Sequence, residues 1–315
     1  MKLQTQIPLQ PEENPIDYSS KVVLLGSCFA ENIGGKLDYF KFQNLQNPFG
    51  IIFHPLAIEG LVRRALEERF FAEDDIFFHN EQWHSFEVHS LVTASGKEDF
   101  LKLLNEKLKH FREYLLTATH IIFTYGTARV YRFTETNKLV ANCHKLPQQH
   151  FTKELLSIEL ISESIQNTSR LLKTYNFKVQ QIHTVSPVRH LKDGFVENTQ
   201  SKAHLIAGLH TALKNDTRSN YFPSYEIVMD ELRDYRFYGE DMLHPTATAV
   251  TYIWNRFKEV WIASETDSIQ NQVDSIQKGL QHRPFNPSSK ANEVFRIELQ
   301  QKITALQKQF QHIQF

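Results

Sequence analysis

The chain of 315 residues is 41% hydrophobic, so it is long enough to bury a sizeable core. Its 35 basic residues nearly balance its 36 acidic ones, which argues against nucleic-acid and membrane-surface partners. Its cysteines, Cys28 and Cys143, form neither a disulfide framework nor a metal-binding spacing. We therefore expect neither a bound metal nor another cofactor.

Residues 1–20 are expected to be extended, because Pro8, Pro11 and Pro15 disfavour a helix. This start lacks the continuous apolar run of a signal peptide, and no segment approaches the ~20 apolar residues of a membrane span. We expect a cytoplasmic protein with no membrane-bound segment.

The stretch Lys21–Leu25 is a short apolar run rich in β-branched residues, which predicts a buried strand. Gly26 permits a tight turn, and the apolar spacing of Phe29–Phe40 predicts a helix. Ser27 then lies at a helix N-terminus, where free N–H groups favour a developing negative charge. Such a serine is either a nucleophile or an ordinary helix N-cap.

The next segments combine a loop, a helix and a hairpin. Asn44–Ile51 is rich in turn residues and predicts a loop, and Pro55 opens a helix to about Phe70. Residues 76–92 alternate like a β-hairpin. Three histidines fall in this hairpin region, namely His79, His84 and His89. Their spacing matches no zinc motif, so we expect the wall of a substrate cleft rather than a metal site.

Glu98–Thr117 has an amphipathic pattern and predicts a helix, and His120–Tyr125 predicts a second buried strand. Gly126 and Thr127 follow at the end of this strand, where open α/β sheets bind their ligands. A short hairpin over residues 129–142 is expected to return Asn142 and His144 to the same cleft, although both are also compatible with an ordinary polar loop.

Lys153–Thr174 predicts a long helix, and a further strand ends at Val185. Arg189 and His190 follow that strand, so they either face the ligand or lie in a solvated loop. A helix over Asn198–Leu213 and a last strand over Tyr221–Asp230 complete the alternation.

Strands alternating with helices predict a flavodoxin-like three-layer α/β/α sandwich around a parallel sheet of four to five strands. We assign residues 1–263 to this domain, with hairpin insertions at about 76–92 and 129–142. Residues 264–315 are Gln- and Lys-rich and predict a C-terminal helical extension. This extension either packs back on the domain or pairs with a partner chain.

Asp241 and His244 stand three residues apart, just before a helix that covers Ala249–Ala263. A serine nucleophile needs a base to take its proton and an acid to orient that base, so Ser27, His244 and Asp241 form a candidate catalytic triad. Two rivals remain. His190 is a second candidate base that lacks an acid at this spacing, and Cys28 is a second candidate nucleophile.

The motif Gly26-Ser27-Cys28-Phe29-Ala30, followed late in the chain by Asp241-x-x-His244, resembles the GSCFA family of the SGNH/GDSL hydrolase superfamily. The resemblance covers about residues 20–262. It implies an SGNH-type fold, a serine nucleophile after the first strand, and a late Asp-x-x-His segment that supplies the rest of the triad.

The resemblance also implies an oxyanion hole that contains the N–H of Ser27 and a glycine N–H after the first helix. Gly50 is the nearest candidate, with Asn47 beside it, and an ordinary loop is the alternative for both. The superfamily places a glycine and then an asparagine after a later strand. Gly126 fits the glycine, but Ala128 stands where the asparagine is expected. Asn142 is our candidate replacement, and Thr127 or another donor is the alternative.

These features predict a serine hydrolase acting on ester bonds. The resemblance makes an O-acylated carbohydrate, or another small ester, the expected substrate. An acyltransferase is one alternative. A non-catalytic module that binds a carbohydrate or a partner is the other, and Ala128 favours it. The sequence leaves the oligomeric state open.

Overall fold

Five parallel strands form the central sheet of the computed structural model, which describes residues 4–315. In chain order they are β1 (Lys21–Gly26), β2 (Gln43–Gln46), β3 (His120–Tyr125), β4 (Gln180–Val185) and β5 (Ser219–Tyr221). Their order across the sheet is β2-β1-β3-β4-β5. This is the flavodoxin-like order, in which the direction of winding reverses between β1 and β3. The predicted fold class is therefore confirmed.

Eight long helices accompany these strands within residues 4–315. They are α1 (Cys28–Tyr39), α2 (Pro55–Leu66), α3 (Lys97–Thr117), α4 (Ile158–Tyr175), α5 (Phe195–Leu213), α6 (Ala247–Trp261), α7 (Asp267–Gln281) and α8 (Lys290–Gln309). Because successive strand residues point to opposite faces, Val23 and Leu25 of β1 pack against the core under α2–α5. Val22 and Leu24 pack into the core under α1 and α6. These two cores make the three layers.

The predicted hairpin over 76–92 is shorter than expected. Its strands are Phe77–His79 and Gln82–His84, with Phe77 opposite His84. The following residues leave the ladder, and a single bridge from Trp83 to Ala94 closes the loop. The apolar alternation that continues to Val92 reflects burial of Val88 and Val92 in the core rather than strand pairing.

The second hairpin belongs to a three-stranded antiparallel sheet of Arg129–Phe133, Lys138–Val140 and Phe151–Leu155. The helix predicted from Lys153 was therefore wrong at its start. Phe151–Leu155 pairs with Arg129–Phe133, and α4 begins only after Ser157, whose side chain accepts the N–H of Leu160 as an N-cap.

Two predictions about the sheet edges were also wrong. The expected loop at Asn44 contains β2, a polar edge strand that pairs with β1 from Lys21 to Leu24. The last strand, β5, ends at Tyr221, and Ser224–Glu231 is helical instead of extended. Ile227 and Val228, the β-branched residues of this helical segment, are buried in the core under α1 and α6. Tertiary packing therefore overrides their strand propensity.

The C-terminal helices pack back on the domain. Val273 and Ile276 of α7 and Ile303 and Leu306 of α8 join the core under α1 and α6. The extended start is attached to the same layer, because Ile16 bridges Ile262. Residues 1–3 of the predicted extended segment lie outside the described residues. No helix within residues 4–315 is long and apolar enough to cross a membrane.

Candidate functional site

Ser27 lies at the end of β1, in the strand-to-helix turn Gly26-Ser27, which we call the serine turn. A Cβ at Gly26 would lie 2.1 Å from the carbonyl oxygen of Thr124, and the φ of Gly26 is +136°, so only glycine fits here. The N–H of Ser27 donates to that carbonyl at 3.0 Å. The turn is therefore fixed to β3 at the carboxyl edge of the sheet, where the strand order reverses.

The Ser27 side chain caps α1. Its Oγ accepts the N–H of Phe29 at 3.3 Å, and the residue is 0% exposed. The N-cap interpretation and the nucleophile interpretation are thus compatible, because one hydroxyl can cap the helix and still present its proton to a base.

Cys28, the rival nucleophile, is partly buried. Burial raises the pKa of its thiol above the ordinary value, the charge of Glu31 acts in the same direction, and Lys202 acts against them. The thiol is therefore mostly protonated at neutral pH, which disfavours it as a nucleophile.

Asp241 and His244 form a hydrogen-bonded pair. Oδ2 of Asp241 lies 2.6 Å from Nδ1 of His244, and Oδ1 accepts the backbone N–H groups of Leu243 and His244. These bonds, the one from the His244 backbone first, lower the pKa of Asp241 to about 2. An ionised Asp241 holds the proton of the imidazole on Nδ1, so Nε2 is left as an acceptor.

The Asp241–His244 pair belongs to the same layer as α1, the helix that Ser27 caps. His244 precedes α6, and Ala249 and Ile253 of α6 share a core with Phe29 of α1. The pair is about half exposed, with 48% of the Asp241 side chain and 53% of the His244 side chain open to solvent. Among the described residues, no hydrogen bond joins Ser27 to His244.

The two backbone donors expected in the oxyanion hole are engaged elsewhere. The N–H of Ser27 donates to Thr124, and the N–H of Gly50 donates to the carbonyl of Asn47 at 2.7 Å. Asn47 itself accepts the N–H of Gly26 through Oδ1 at 2.9 Å. Its Nδ2 is buried without a partner among the described residues, so Asn47 holds a free side-chain donor beside the serine turn.

Asn142 and His144 stabilise the loop between the small sheet and the hairpin. Oδ1 of Asn142 accepts the N–H of His144 at 2.9 Å, and Nε2 of His144 lies 2.7 Å from the carbonyl of Ser85. Burial lowers the pKa of His144 to about 4, and His84 adds to the shift. Among the described residues, neither side chain has a hydrogen bond to the serine turn.

The three hairpin histidines do not converge on one point. Nε2 of His84 lies 3.1 Å from the carbonyl of His79, whereas His89 packs against Gly50. Only His89 thus borders the loop that follows β2. Within residues 4–315, no group of three or more His, Cys, Asp or Glu side chains has an arrangement that could hold a metal ion.

The loops after β3 and β4 meet at the carboxyl edge. The N–H groups of Gly126 and Thr127 both donate to the carbonyl of Phe53, at 2.7 and 3.2 Å. The His190 ring contacts Phe53 edge-on at 5.0 Å between centroids, and a Cβ at Gly126 would lie 3.2 Å from its Nε2. Gly126 and His190 therefore face each other.

Burial lowers the pKa of His190 to about 4, and the charges of Lys202 and His244 lower it further, against Asp193. His190 is therefore neutral at pH 7. In the same loop, Nη2 of Arg189 donates to Sδ of Met229 at 3.1 Å.

Sequence reasoning missed a polar stripe on α5, formed by Asn198, Ser201 and Lys202. Oδ1 of Asn198 accepts the N–H of His190, and Oγ of Ser201 accepts the N–H of Ala128. Nζ of Lys202 donates to the carbonyls of Gly126 and Ser186, both at 2.6 Å. The stripe therefore holds both loops of the carboxyl edge. The stripe could have been recognised in the sequence, because its three polar residues share one face of a helix whose next turns bury Leu205 and Leu209.

A cavity of about 610 Å³ lies between α2 and the two hairpin regions, with His54, Phe77, Phe86 and Val140 in its wall. Neither Ser27 nor His244 lines it. The candidate catalytic residues therefore lie outside this cavity.

The strand order defines a flavodoxin-like α/β/α sandwich with a serine at the carboxyl end of β1. The chain belongs to the GSCFA family, because the model of that family matches residues 21–257. A second model, described as the GSCFA domain protein, C-terminal domain, matches residues 273–315. The resemblance seen in the motifs is therefore confirmed.

Among solved structures, the chain is similar to an acetyl xylan esterase, Est2A, from the rumen bacterium Butyrivibrio proteoclasticus. The TM-score is 0.42 and the sequence identity is 11%, over 85% of this chain. The match spans 66% of the esterase chain, slightly less than two thirds of its length. No curated protein sequence matches this chain.

Proposed function

We propose that the protein is a serine esterase in which Ser27 is the nucleophile, His244 the general base and Asp241 the acid that orients it. The observation that carries this proposal is the 2.6 Å Asp241–His244 bond, which leaves Nε2 of His244 as an acceptor. This pair precedes the helix that packs on α1, and Ser27 caps α1 where the strand order reverses.

In the first half-reaction Oγ of Ser27 attacks the ester carbonyl while Nε2 of His244 takes the hydroxyl proton. The C–O bond to the leaving alcohol then breaks, and His244 returns the proton to that alcohol. Water repeats the sequence on the acyl-enzyme and releases the acid. Because Ser27 has no exposed surface, this chemistry requires the loops over the serine turn to open for the substrate.

The substrate we propose is a small acyl ester, with an O-acylated carbohydrate as the class that the family resemblance favours. The oxyanion would be held by donors near the turn, among which Nδ2 of Asn47 is unpaired. Asn142 and Gly50 remain proposed donors that need a local rearrangement to serve.

A fluorophosphonate probe tests this proposal directly, because it modifies only an activated serine. We expect labelling of Ser27, identified by peptide mass spectrometry, and hydrolysis of 4-nitrophenyl acetate by the same sample. Both should disappear in Ser27→Ala. Labelling at another residue, or esterase activity that survives in Ser27→Ala, would contradict the assignment.

A second candidate function is a binding module without turnover. It is favoured by the complete burial of Ser27, whose hydroxyl already accepts the helix-capping bond. In that case the probe should leave Ser27 unmodified in a folded sample.

A further inference from the structure

Lys202 is a buried lysine that has no carboxylate partner within residues 4–315. The residue is 1% exposed, and the two hydrogen bonds of Nζ both go to backbone carbonyls, those of Gly126 and Ser186. A buried ammonium is costly unless it is paired, so most chains avoid one. If residue 202 served only to join two loops, a neutral hydrogen-bond donor would do so without the cost of burying a charge.

The titratable and charged groups that face Lys202 come from two elements. Cys28 belongs to α1, and Arg189 and His190 belong to the loop after β4. Burial is the main cause that lowers the pKa of Lys202 to about 7, Arg189 lowers it further, and Cys28 acts in the opposite direction. The charge of Lys202 therefore changes near neutral pH.

Nζ of Lys202 lies at the rim of the sheet beside the serine turn. Gly126 follows β3 directly, and Thr124, two residues earlier, accepts the N–H of Ser27. Lys202 comes from α5, in the layer opposite to α1 and α6. The proposed base and this cation thus reach the carboxyl edge from opposite faces of the sheet.

An ammonium has three N–H donors, and carbonyls occupy two of those of Lys202. Among residues 4–315, no third acceptor is hydrogen-bonded to Nζ. The third donor is therefore available to a bound group. The two expected backbone donors to the oxyanion, the N–H groups of Ser27 and Gly50, are engaged in backbone bonds, and Ala128 occupies the position of the missing asparagine.

We propose that the ammonium of Lys202 donates its third N–H to the oxyanion formed when Ser27 attacks an ester, and that its positive charge stabilises that oxyanion. This inference rests on the proposed function. The bond from Ser27 Oγ to the carbonyl carbon forms, and the carbonyl π electrons move to its oxygen. Lys202 donates a hydrogen bond to that oxygen and keeps its proton. A full charge in a dry site stabilises such an anion far more than it would in water.

The test compares Lys202→Met, which removes the charge at similar volume, with Lys202→Arg, which keeps it at every accessible pH. For Lys202→Met we expect kcat for 4-nitrophenyl acetate to fall roughly 100- to 1000-fold, with KM changed little. Lys173→Met is the matched control, because Lys173 pairs with Asp216 away from the serine turn. It should keep wild-type kcat.

The pH profile separates this role from a purely structural one. Because the protonated form is required, wild-type kcat should decrease as the pH rises through the pKa of Lys202. Lys202→Arg should retain activity well above that pH and lose this alkaline limb. If Lys202→Met does not fold, as judged by circular dichroism, the profile of Lys202→Arg decides alone.

Two outcomes overturn the inference. One is wild-type kcat in folded Lys202→Met, and the other is an unchanged alkaline limb in Lys202→Arg. In both, fluorophosphonate labelling of Ser27 in the wild type would leave the proposed esterase function standing. An unlabelled wild-type Ser27 would instead remove the proposed function itself, and the inference with it.

Discussion

Two pairs of polar residues at the carboxyl edge of the sheet differ in their exposure to water. We call them the enclosed side and the open side. Ser27 and Lys202 are enclosed, at 0% and 1% exposure, whereas Asp241 and His244 are about half exposed. The pKa of Lys202 is lowered mainly by burial, but that of Asp241 is lowered by hydrogen bonds. The enclosed side therefore depends on desolvation, and the open side on geometry.

Under the proposed mechanism, the two sides have distinct tasks. Charges interact strongly in the enclosed side, where the oxyanion would form. The open side can exchange protons with solvent, which suits a base that must be regenerated in each turnover. Substitutions on the enclosed side should consequently affect the stabilisation of the oxyanion, and those on the open side should affect proton transfer.

The largest effect should come from Ser27→Ala. We expect a loss of esterase activity of at least ~10⁴-fold, because no other described group near the turn is an activated nucleophile. Ser157→Ala is the control, since Ser157 also caps a helix, α4, through its side chain and has no proposed chemical role. It should lose about 1 kcal/mol of stability and no activity. Equal activity losses in the two variants would assign Ser27 to capping alone.

Asp241→Asn should lower kcat by roughly 10³- to 10⁴-fold, because an amide no longer holds the imidazole proton on Nδ1. Asp234→Asn provides the control. Asp234 is similarly exposed and caps its own turn by accepting the N–H of Arg236. Steady-state kinetics should show wild-type kcat for the control, and a matching loss there would point to a general surface-charge effect.

Gly26→Ala should destabilise the enclosed side by about 2–4 kcal/mol, because the new Cβ meets the Thr124 carbonyl at a positive φ. Gly35, in the exposed part of α1, has no heavy atom within 4 Å of such a Cβ. Gly35→Ala should stabilise the protein by about 0.5–1 kcal/mol. Urea unfolding measures both, and a tolerated Gly26→Ala would contradict the close approach of β1 and β3.

The smallest effect concerns pH. Burial lowers the pKa of His183 to about 3 and that of His54 to about 4, from an unfolded value near 6.5. Below pH 6.5 the unfolded chain binds more protons than the native one, so stability falls as the pH falls. Each buried histidine should contribute a slope of up to about 1.4 kcal/mol per pH unit.

His183→Gln should therefore reduce the loss of stability between pH 6.5 and 5, measured as the shift in urea midpoint. His110→Gln, which replaces a mostly exposed histidine, should leave that shift unchanged. An identical pH dependence in the His183 variant and the wild type would show that other groups govern acid unfolding.

The sequence was sufficient for the central strands because burial on both faces produces continuous apolar runs, as in β1 and β3. It was insufficient for β2, whose residues Gln43–Gln46 carry no apolar alternation and whose place is given by its pairing with β1. It misled at Ile227 and Val228, where β-branched residues fill a core from a short helix. A local hydrophobic pattern therefore predicts the strands that are buried in the core, whereas an edge strand depends on its pairing with a neighbouring strand.

The candidate site was predictable in part for a similar reason. Ser27, Asp241 and His244 lie in short motifs with a mechanistic spacing, so they could be named, and their joint role stays a proposal. Lys202 could not be found as easily, because a lysine in a helix is nearly always solvated. Only its place in the stripe with Asn198 and Ser201 distinguishes it.

The layer that carries α1, the helix that Ser27 caps, has a further consequence for biosynthesis. Its core joins Phe29 and Leu37 of α1 to Ile303 and Leu306 of α8, and Ile16 pairs with Ile262. While the ribosome is still translating the last helix, that face of the nascent chain remains open. This layer can therefore be completed only after α8 has emerged, and its apolar surface is available to chaperones until then.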